Sequence, residues 1–251
     1  MKIITLNTWG GRAGKKELLS FFDKNKADVF CLQEIWQAPY DNLDGSLVGG
    51  SSLDQDKILV YGVKEISEVL NNHLSFFRPH HGDNYGLMTL AKNDIEISEE
   101  GEIFVYKFKG FVPEGDIGNH ARNIQYIKFL NKNLTIINFH GLWNGKGKGD
   151  SDDRIEQSKK IVEFIKSLGT EVVLCGDFNL LPETESIKII EDAGLRNLVK
   201  ENNIQSTRTS FYTKPDKHAD YIFVSSGVKV LDFKVLPDEV SDHSALYLEI
   251  E

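Results

Sequence analysis

EVVLCGDFNLLP, residues 171–182, carries the pattern from which the rest of the chain can be read. Val172 to Cys175 form an unbroken apolar run closed by Gly176, the signature of a strand buried on both faces. The run ends in Asp177 and Asn179, so polar groups stand where a strand leaves its sheet. Upstream, residues 152–168 carry Ile155, Ile161, Val162, Phe164, Ile165 and Leu168 at helical spacing. Acidic residues open this segment, and Lys166 and Gly169 close it, as the helix dipole and the C-cap require. Downstream, Pro182 introduces a shorter helix expected over residues 183–192, ending near Gly194. A buried strand between two amphipathic helices makes this an α/β chain.

Working outward, further β-type runs appear at KIITLN, DVFCLQ, GLMTLAK, EIFVYKF, RNIQYIKFL, LTIINFHG, DYIFVSS, VKVLDFKVL and SALYLEI. With the central run they make about ten, more than one open sheet of a compact domain holds without splitting in two. Residues 15–26 add a helix with Leu18, Leu19, Phe21 and Phe22 on its buried side. The order of elements predicts two sheets packed face to face with helices on the outer faces. Residues 39–84, around LDGSLVGGSSLDQD, are the least regular part. They read as a surface loop plus a helix, a common place for substrate selectivity. No repeat or composition shift marks a second domain, so residues 1–251 are expected to form one.

Composition sets outer limits. At 251 residues with 40% apolar and 27% charged side chains, the chain can bury a sizeable core. Cys31 and Cys175 both lie inside apolar runs and read as small buried hydrophobes, not as a disulfide or metal ligands. The opening MKIITLNTWGG has the form of a first strand and lacks a leader's cleavage pattern, and no run is long enough to span a bilayer. A cytoplasmic protein without an obligate protein partner is the expectation. The formal net charge of −9 weighs against a non-specific nuclease, although a bound cation and a few placed basic residues can reverse the sign inside a cleft.

The polar strand ending at Asp177 and Asn179 is repeated along the chain. ITLN ends in Asn7, LQE in Glu34 and IINFH in His140; DYIFV opens on Asp220, and SDHSAL carries Asp242 and His243. A single such carboxylate is usually a cap or turn residue. Together they supply hard oxygen ligands in Asn7, Glu34 and Asp242, a water-orienting pair in Asp177 and Asn179, and two histidines, one of which Asp220 can hold. Oxygen ligands suit Mg²⁺, with Mn²⁺ as a substitute, and no Cys and His cluster at zinc spacing is present.

LNTWG, LQE, GDFN, DYIFVS and SDHSAL, in that order from Asn7 to His243, resemble the endonuclease/exonuclease/phosphatase superfamily. Its branches include AP endonucleases, pancreatic-type deoxyribonucleases, neutral sphingomyelinases and inositol polyphosphate 5-phosphatases. The resemblance implies a four-layered α/β/β/α sandwich of two mostly antiparallel sheets with the site at one end. It also implies Mg²⁺-dependent hydrolysis of a phosphate ester by in-line attack of an activated water. Glu34 would be the principal metal ligand, with Asn7 and Asp242 close by; Asp177 and Asn179 would orient the water and a phosphate oxygen. His243 would contact the scissile phosphate with Asp220 fixing its tautomer, and His140 would be the second histidine of the deoxyribonuclease and sphingomyelinase branches. In-line attack builds charge on the non-bridging oxygens, which is why a cation and imidazoles suit the chemistry.

The chain departs from the AP endonucleases at Trp9, where they carry an acidic residue, and at His140, where they carry Tyr. The substrate expectation is therefore broad: a phosphodiester, nucleic acid included, or alternatively a phosphorylated small molecule or lipid headgroup. A silent binding module of the same fold would be expected to have lost at least one of these residues. Arg122 is either a phosphate contact or a surface arginine. Trp143, with Lys146 and Lys148, sits in GLWNGKGKGD, which is either a substrate loop or a mobile connection. Trp9 is a rim aromatic or a core residue. His80 and His81, adjacent on an extended segment, should point to opposite faces, and with His120 they are expected in loops.

Overall fold

The computed structural model describes residues 1–37, 58–114 and 117–251, and the side chain of residue 117 is outside that description. The chain runs through β1 (Lys2–Asn7), α1 (Lys15–Lys24), β2 (Val29–Trp36), α2 (Gly62–Val69), β3 (His73–His81), β4 (Tyr85–Lys92), β5 (Ile97–Tyr106), β6 (Arg122–Phe129) and β7 (Leu134–His140). It continues through α3 (Asp152–Leu168), β8 (Glu171–Asp177), α4 (Glu185–Asp192), β9 (Leu195–Asn197), α5 (Leu198–Glu201), β10 (Asp220–Ser225), β11 (Val230–Val235) and β12 (Leu246–Ile250). Two six-stranded sheets result, in the orders β11-β12-β1-β2-β4-β3 and β5-β6-β7-β8-β10-β9. Most neighbours are antiparallel, but β1 pairs with β2 and β7 with β8 in parallel. Each parallel pair is joined through a helix, as a crossover demands.

Strand alternation explains the layers. From the first sheet, Ile4, Leu6, Phe30, Leu32, Met88 and Leu90 pack with Leu18, Phe21 and Phe22 of α1 and Ile66 of α2. The opposite face, with Ile3, Val29, Cys31 and Ala91, joins the core of the second sheet, which also receives Ile161 of α3 and Ile187 and Ile190 of α4. The predicted sandwich with helices outside is therefore the observed architecture. Cys31 and Cys175 are both free and buried.

Between the sheets the packing changes from apolar to polar along the strands. Gln33 donates to Asn138 at 2.7 Å and to Thr5 at 3.2 Å; Asn138 donates to Leu32 O at 3.1 Å, and Thr89 donates to Gln125 at 2.8 Å. Buried amides must be paired, so this ladder fixes how the two sheets register on each other. The strands leave it at the end where Asn7, His140 and Asp177 stand.

Residues 39–84 differ from the expectation of a loop plus one helix. Residues 38–57 lie outside the described residues, while the described remainder forms α2 and β3. Strand β3 lies at a sheet edge, a position that tolerates Pro79 within a strand. His80 and His81 belong to this strand and not to a loop. They also do not face opposite ways, because the pairing with β4 shifts register between Pro79 and His81. The extra residue of this β-bulge turns both rings toward His120, at 5.0 and 5.1 Å. Strand β9, only Leu195–Asn197, also goes beyond the sequence reading, and α4 begins at Glu185, slightly later than expected.

Candidate active site

Register places three of the polar strand ends side by side. His140 of β7 is opposite Asp177 of β8, which is opposite Asp220 of β10. The approach of β7 to β8 leaves no room for side chains at two glycines. A Cβ on Gly176, whose φ is +138°, would lie 2.0 Å from Phe139 O, and one on Gly141 would lie 2.2 Å from Phe178 O. Beyond the strand, Asn179 adopts a left-handed φ of 54°. It donates its backbone N–H to Asp177 Oδ1 at 2.9 Å and its Nδ2 to Gly141 O at 3.3 Å. This local turn is what Asn tolerates and most residues do not.

The first sheet contributes from across the interface. Glu34 sits in a β-bulge of β2, where register shifts between Leu32 and Ile35, and its φ is +59°. The bulge aims its carboxylate into the cleft. Asn7, at the end of β1, donates through Nδ2 to Asp177 Oδ2 at 2.9 Å and to Glu34 Oε1 at 3.1 Å, while its Oδ1 accepts from Trp9 N at 3.0 Å. Asn7 is fully buried and ties the carboxylates of the two sheets together. Arg12 Nη1 approaches Glu34 Oε2 at 3.4 Å.

Asp177 Oδ2 lies 3.7 Å from His140 Nε2 and 3.6 Å from His243 Nε2. The two rings have different partners behind them. His243 Nδ1 is 2.9 Å from both oxygens of Asp220, whereas His140 Nδ1 is 3.3 Å from Arg122 Nη1. Burial pushes Asp220 and Asp242 above the usual carboxylate range, opposed in both by the nearby charge of Arg208. Burial likewise pulls His140 and His243 below the usual imidazole value. Desolvation thus disfavours the charged forms of these four groups.

A divalent cation fits these residues. Glu34 and Asp242 offer carboxylate oxygens, and Asp242 Oδ1 is buried with no hydrogen-bond partner. Its Oδ2 is taken by Arg208 Nη1 at 3.0 Å. An orphaned anionic oxygen beside a second carboxylate suits a hard cation that accepts oxygen ligands. Among the described residues, Asp177, Asp220 and His243 also present ligand atoms within 4.8 Å of one another. The hydrogen bonds joining Asp220 to His243 and the approach of Asp177 to the same ring at 3.6 Å account for that closeness.

The floor opens into a cleft of about 250 Å³, lined by Glu34, Arg122, His140, Trp143, Asp177, Asn179, Asp242 and His243 among others. Asn7 and Asp220 stand behind this lining. Arg122 is no surface arginine: it is 1% exposed and also donates through Nη2 to Gly118 O at 3.1 Å. Trp9 reaches the rim. Lys148 lines the cleft, whereas Lys146 is exposed and is not part of the lining. Residues 142–149 are held, not loose. The buried Arg154 donates to Leu142 O at 3.2 Å, to Gly147 O at 2.9 Å and to Gly149 O.

Sequence reading missed Arg12, Tyr85, Arg208, Tyr212 and Lys214, all of which line the cleft. Arg208 lies in a stretch with no strand or helix pattern and reaches the site through an isolated bridge to His243. Its guanidinium covers Tyr212 at 4.1 Å, and Lys214 covers Trp143 at 5.6 Å. His120, expected in a loop, does precede β6, but it is fully buried.

A two-sheet sandwich with carboxylates, amides and imidazoles gathered at one end is the arrangement of a phosphoesterase and nuclease fold. The chain belongs to the Endonuclease/Exonuclease/phosphatase family, whose profile matches residues 4–243. A mannosyl-6-phosphatase of Bacteroides thetaiotaomicron VPI-5482 superposes with a TM-score of 0.75 at 17% identity, covering 100% of this chain and 99% of its own. A conserved protein of unknown function from Enterococcus faecalis V583 gives 0.73 at 19% identity, with coverage of 100% and 99%. D. rerio TDP2 complexed with a single-strand DNA product gives 0.69 at 18% identity, with coverage of 100% and 98%. Among curated proteins no sequence match was found.

Proposed function

We propose that the protein hydrolyses a phosphate ester with the help of a bound Mg²⁺, Mn²⁺ serving as a substitute. The observation that carries this reading is Asp177 Oδ2 standing 3.7 and 3.6 Å from the inner nitrogens of two histidines, in a cleft that also holds Glu34 and Asp242. Glu34 and Asp242 would hold the cation, with Asn7 orienting Glu34. When bound, it would neutralise charge on the phosphoryl oxygens and lower the barrier to attack. Asp177 and Asn179 align a water, and Asp177 takes up its proton as its oxygen bonds to phosphorus. The bond from phosphorus to the leaving oxygen breaks in line, and that oxygen takes up a proton from solvent. His140 and His243 reach the phosphoryl group from either side, and Asp220 holds His243 in the tautomer that bears its proton on Nδ1.

A phosphorylated small molecule is the substrate class best matched to a cleft of about 250 Å³ on a chain of net charge −9. The mannosyl-6-phosphatase likeness agrees with this reading. A polynucleotide or other phosphodiester is the second reading, favoured by Trp9 and Trp143 at the rim with Arg12 and Lys214 over their rings. Hydrolysis of p-nitrophenyl phosphate and bis-p-nitrophenyl phosphate, with and without Mg²⁺, tests the proposal, and a panel of sugar phosphates and oligonucleotides separates the two substrate classes. Turnover that persists in excess chelator overturns the metal dependence. Failure on every phosphoester leaves a binding module of the same fold.

A further inference from the structure

We propose that Arg122 is a positioning residue that holds His140 in the tautomer carrying its proton on Nε2. On the phosphoesterase reading, His140 then stands beside Asp177 as a hydrogen-bond donor. The second half of this inference rests on the phosphoesterase reading; the first half does not.

A guanidinium has only N–H donors and no lone pair to offer. Its Nη1 lies 3.3 Å from His140 Nδ1, so Nδ1 must be the accepting nitrogen and the ring proton must sit on Nε2. A proton on Nδ1 would set two donors against each other where water cannot intervene, since Arg122 is 1% and His140 3% exposed. Arg122 has little freedom to turn away, because its Nη2 is engaged by Gly118 O at 3.1 Å.

The other titratable neighbours do not reverse this. His80 packs on the His140 ring at 5.7 Å, and His120 stacks on His80 at 5.0 Å. Both are fully or almost fully buried and held below the ordinary imidazole value by burial and then by the charge of Arg122. Burial first, then the charges of Arg122, His80, His243 and Arg208, act on His140 in the same direction. Asp177 approaches the ring at 3.7 Å from Nε2, on the side where the proton is placed. The backing of His243 is of opposite sign. Its Nδ1 faces the Asp220 carboxyl group at 2.9 Å, and its Nε2 lies 3.6 Å from Asp177 Oδ2 and 3.7 Å from Asp242 Oδ1.

The test is a long-range ¹H–¹⁵N correlation spectrum of the imidazoles in the full-length chain without metal or substrate, with His140 assigned by its loss in His140→Gln. The expected pattern is a protonated Nε2 and a bare Nδ1 from pH 8 to pH 5.5, changing to mixed tautomers or to titration within that range in Arg122→Met. A proton on Nδ1 in the unmodified protein, or ordinary titration of this ring, overturns the proposal. An unchanged pattern in a folded Arg122→Met overturns the role of Arg122. Should that variant fail to fold, the unmodified spectrum decides. The donor role is read separately by turnover. His140→Gln can accept from Arg122 and still donate, and should retain about ten-fold or more of the rate left in His140→Ala, as loss of an oxyanion donor implies. Equal rates overturn that role, while a protein inactive on all phosphoesters leaves the spectrum to judge the tautomer alone.

Discussion

Asp177 is 1% exposed and flanked by two imidazoles whose charged forms burial disfavours. Asp177 is proposed to align the attacking water and take up its proton. Asp177→Asn and His243→Ala should each lower kcat by about 10²-fold or more, as removal of a positioned acid-base group typically does. Steady-state turnover on the best phosphoester checks this, and near-normal turnover in either variant refutes the assigned role. Glu34→Gln should act differently, since its carboxylate is proposed to hold the cation. Calorimetric titration with Mg²⁺ should show affinity weakened by at least about ten-fold. Unchanged affinity moves the cation to other ligands.

At the scale of elements, the segment from Leu142 to Gly149 is held chiefly by side chains of α3, Gln157 accepting from Leu142 N–H at 3.2 Å. Arg154 donates to three of the segment's carbonyls, and its own backbone N–H is capped by Ser151 Oγ at 3.3 Å. Arg154→Ala leaves these buried acceptors unpaired and should destabilise the protein by about 2–4 kcal/mol. Urea unfolding measures the loss, and hydrogen exchange should quicken at the amides of residues 142–149. Unaltered exchange there would show the segment to be held by other means. This support was invisible in the sequence, where Arg154 reads as one more polar residue in the first turn of a helix. The boundaries of α3 itself, Asp152–Leu168, were legible because spacing, acidic start and Gly169 agree. The strand ends Asn7, His140, Asp177 and Asp220 were legible for a similar reason, since a polar residue closing or opening an apolar run needs no distant partner to be seen. Glu34 was visible as a residue but not as a bulge, and Arg12 and Arg208 gave no local signal. Their places follow from which loops the finished sheets bring together, and His80 and His81 were misjudged because one extra residue in an edge strand undoes simple alternation.

For the molecule as a whole, the buried imidazoles set a pH response. His80, His120 and His140 are all held well below the ordinary value, chiefly by burial. Above about pH 6.5 neither the folded nor the unfolded chain protonates them, and they add no slope. Below that, the unfolded chain binds protons that the folded chain refuses, so stability falls as pH falls. Asp220, pushed up by burial, runs the other way, because the folded chain keeps its proton at pH values where the unfolded one has lost it. The three histidines outweigh it. Urea midpoints should therefore drop between pH 7.5 and pH 5.5, with a shallower slope in His120→Gln. A flat profile in the unmodified protein would contradict the neutral burial of these rings.

The order of strands in the first sheet also affects how the protein comes into being. β12 lies between β1 and β11, so β1 waits on the ribosome for a strand made some 240 residues later before its open edge is covered. The second sheet, β5 through β10, is by contrast translated as one uninterrupted block. Asp242 and His243 precede β12 directly, so a nascent chain that already displays Glu34, His140 and Asp177 still lacks a wall of its cleft. Synthesis would thus complete the proposed hydrolytic centre at nearly the same moment that it seals the β1 edge against aggregation.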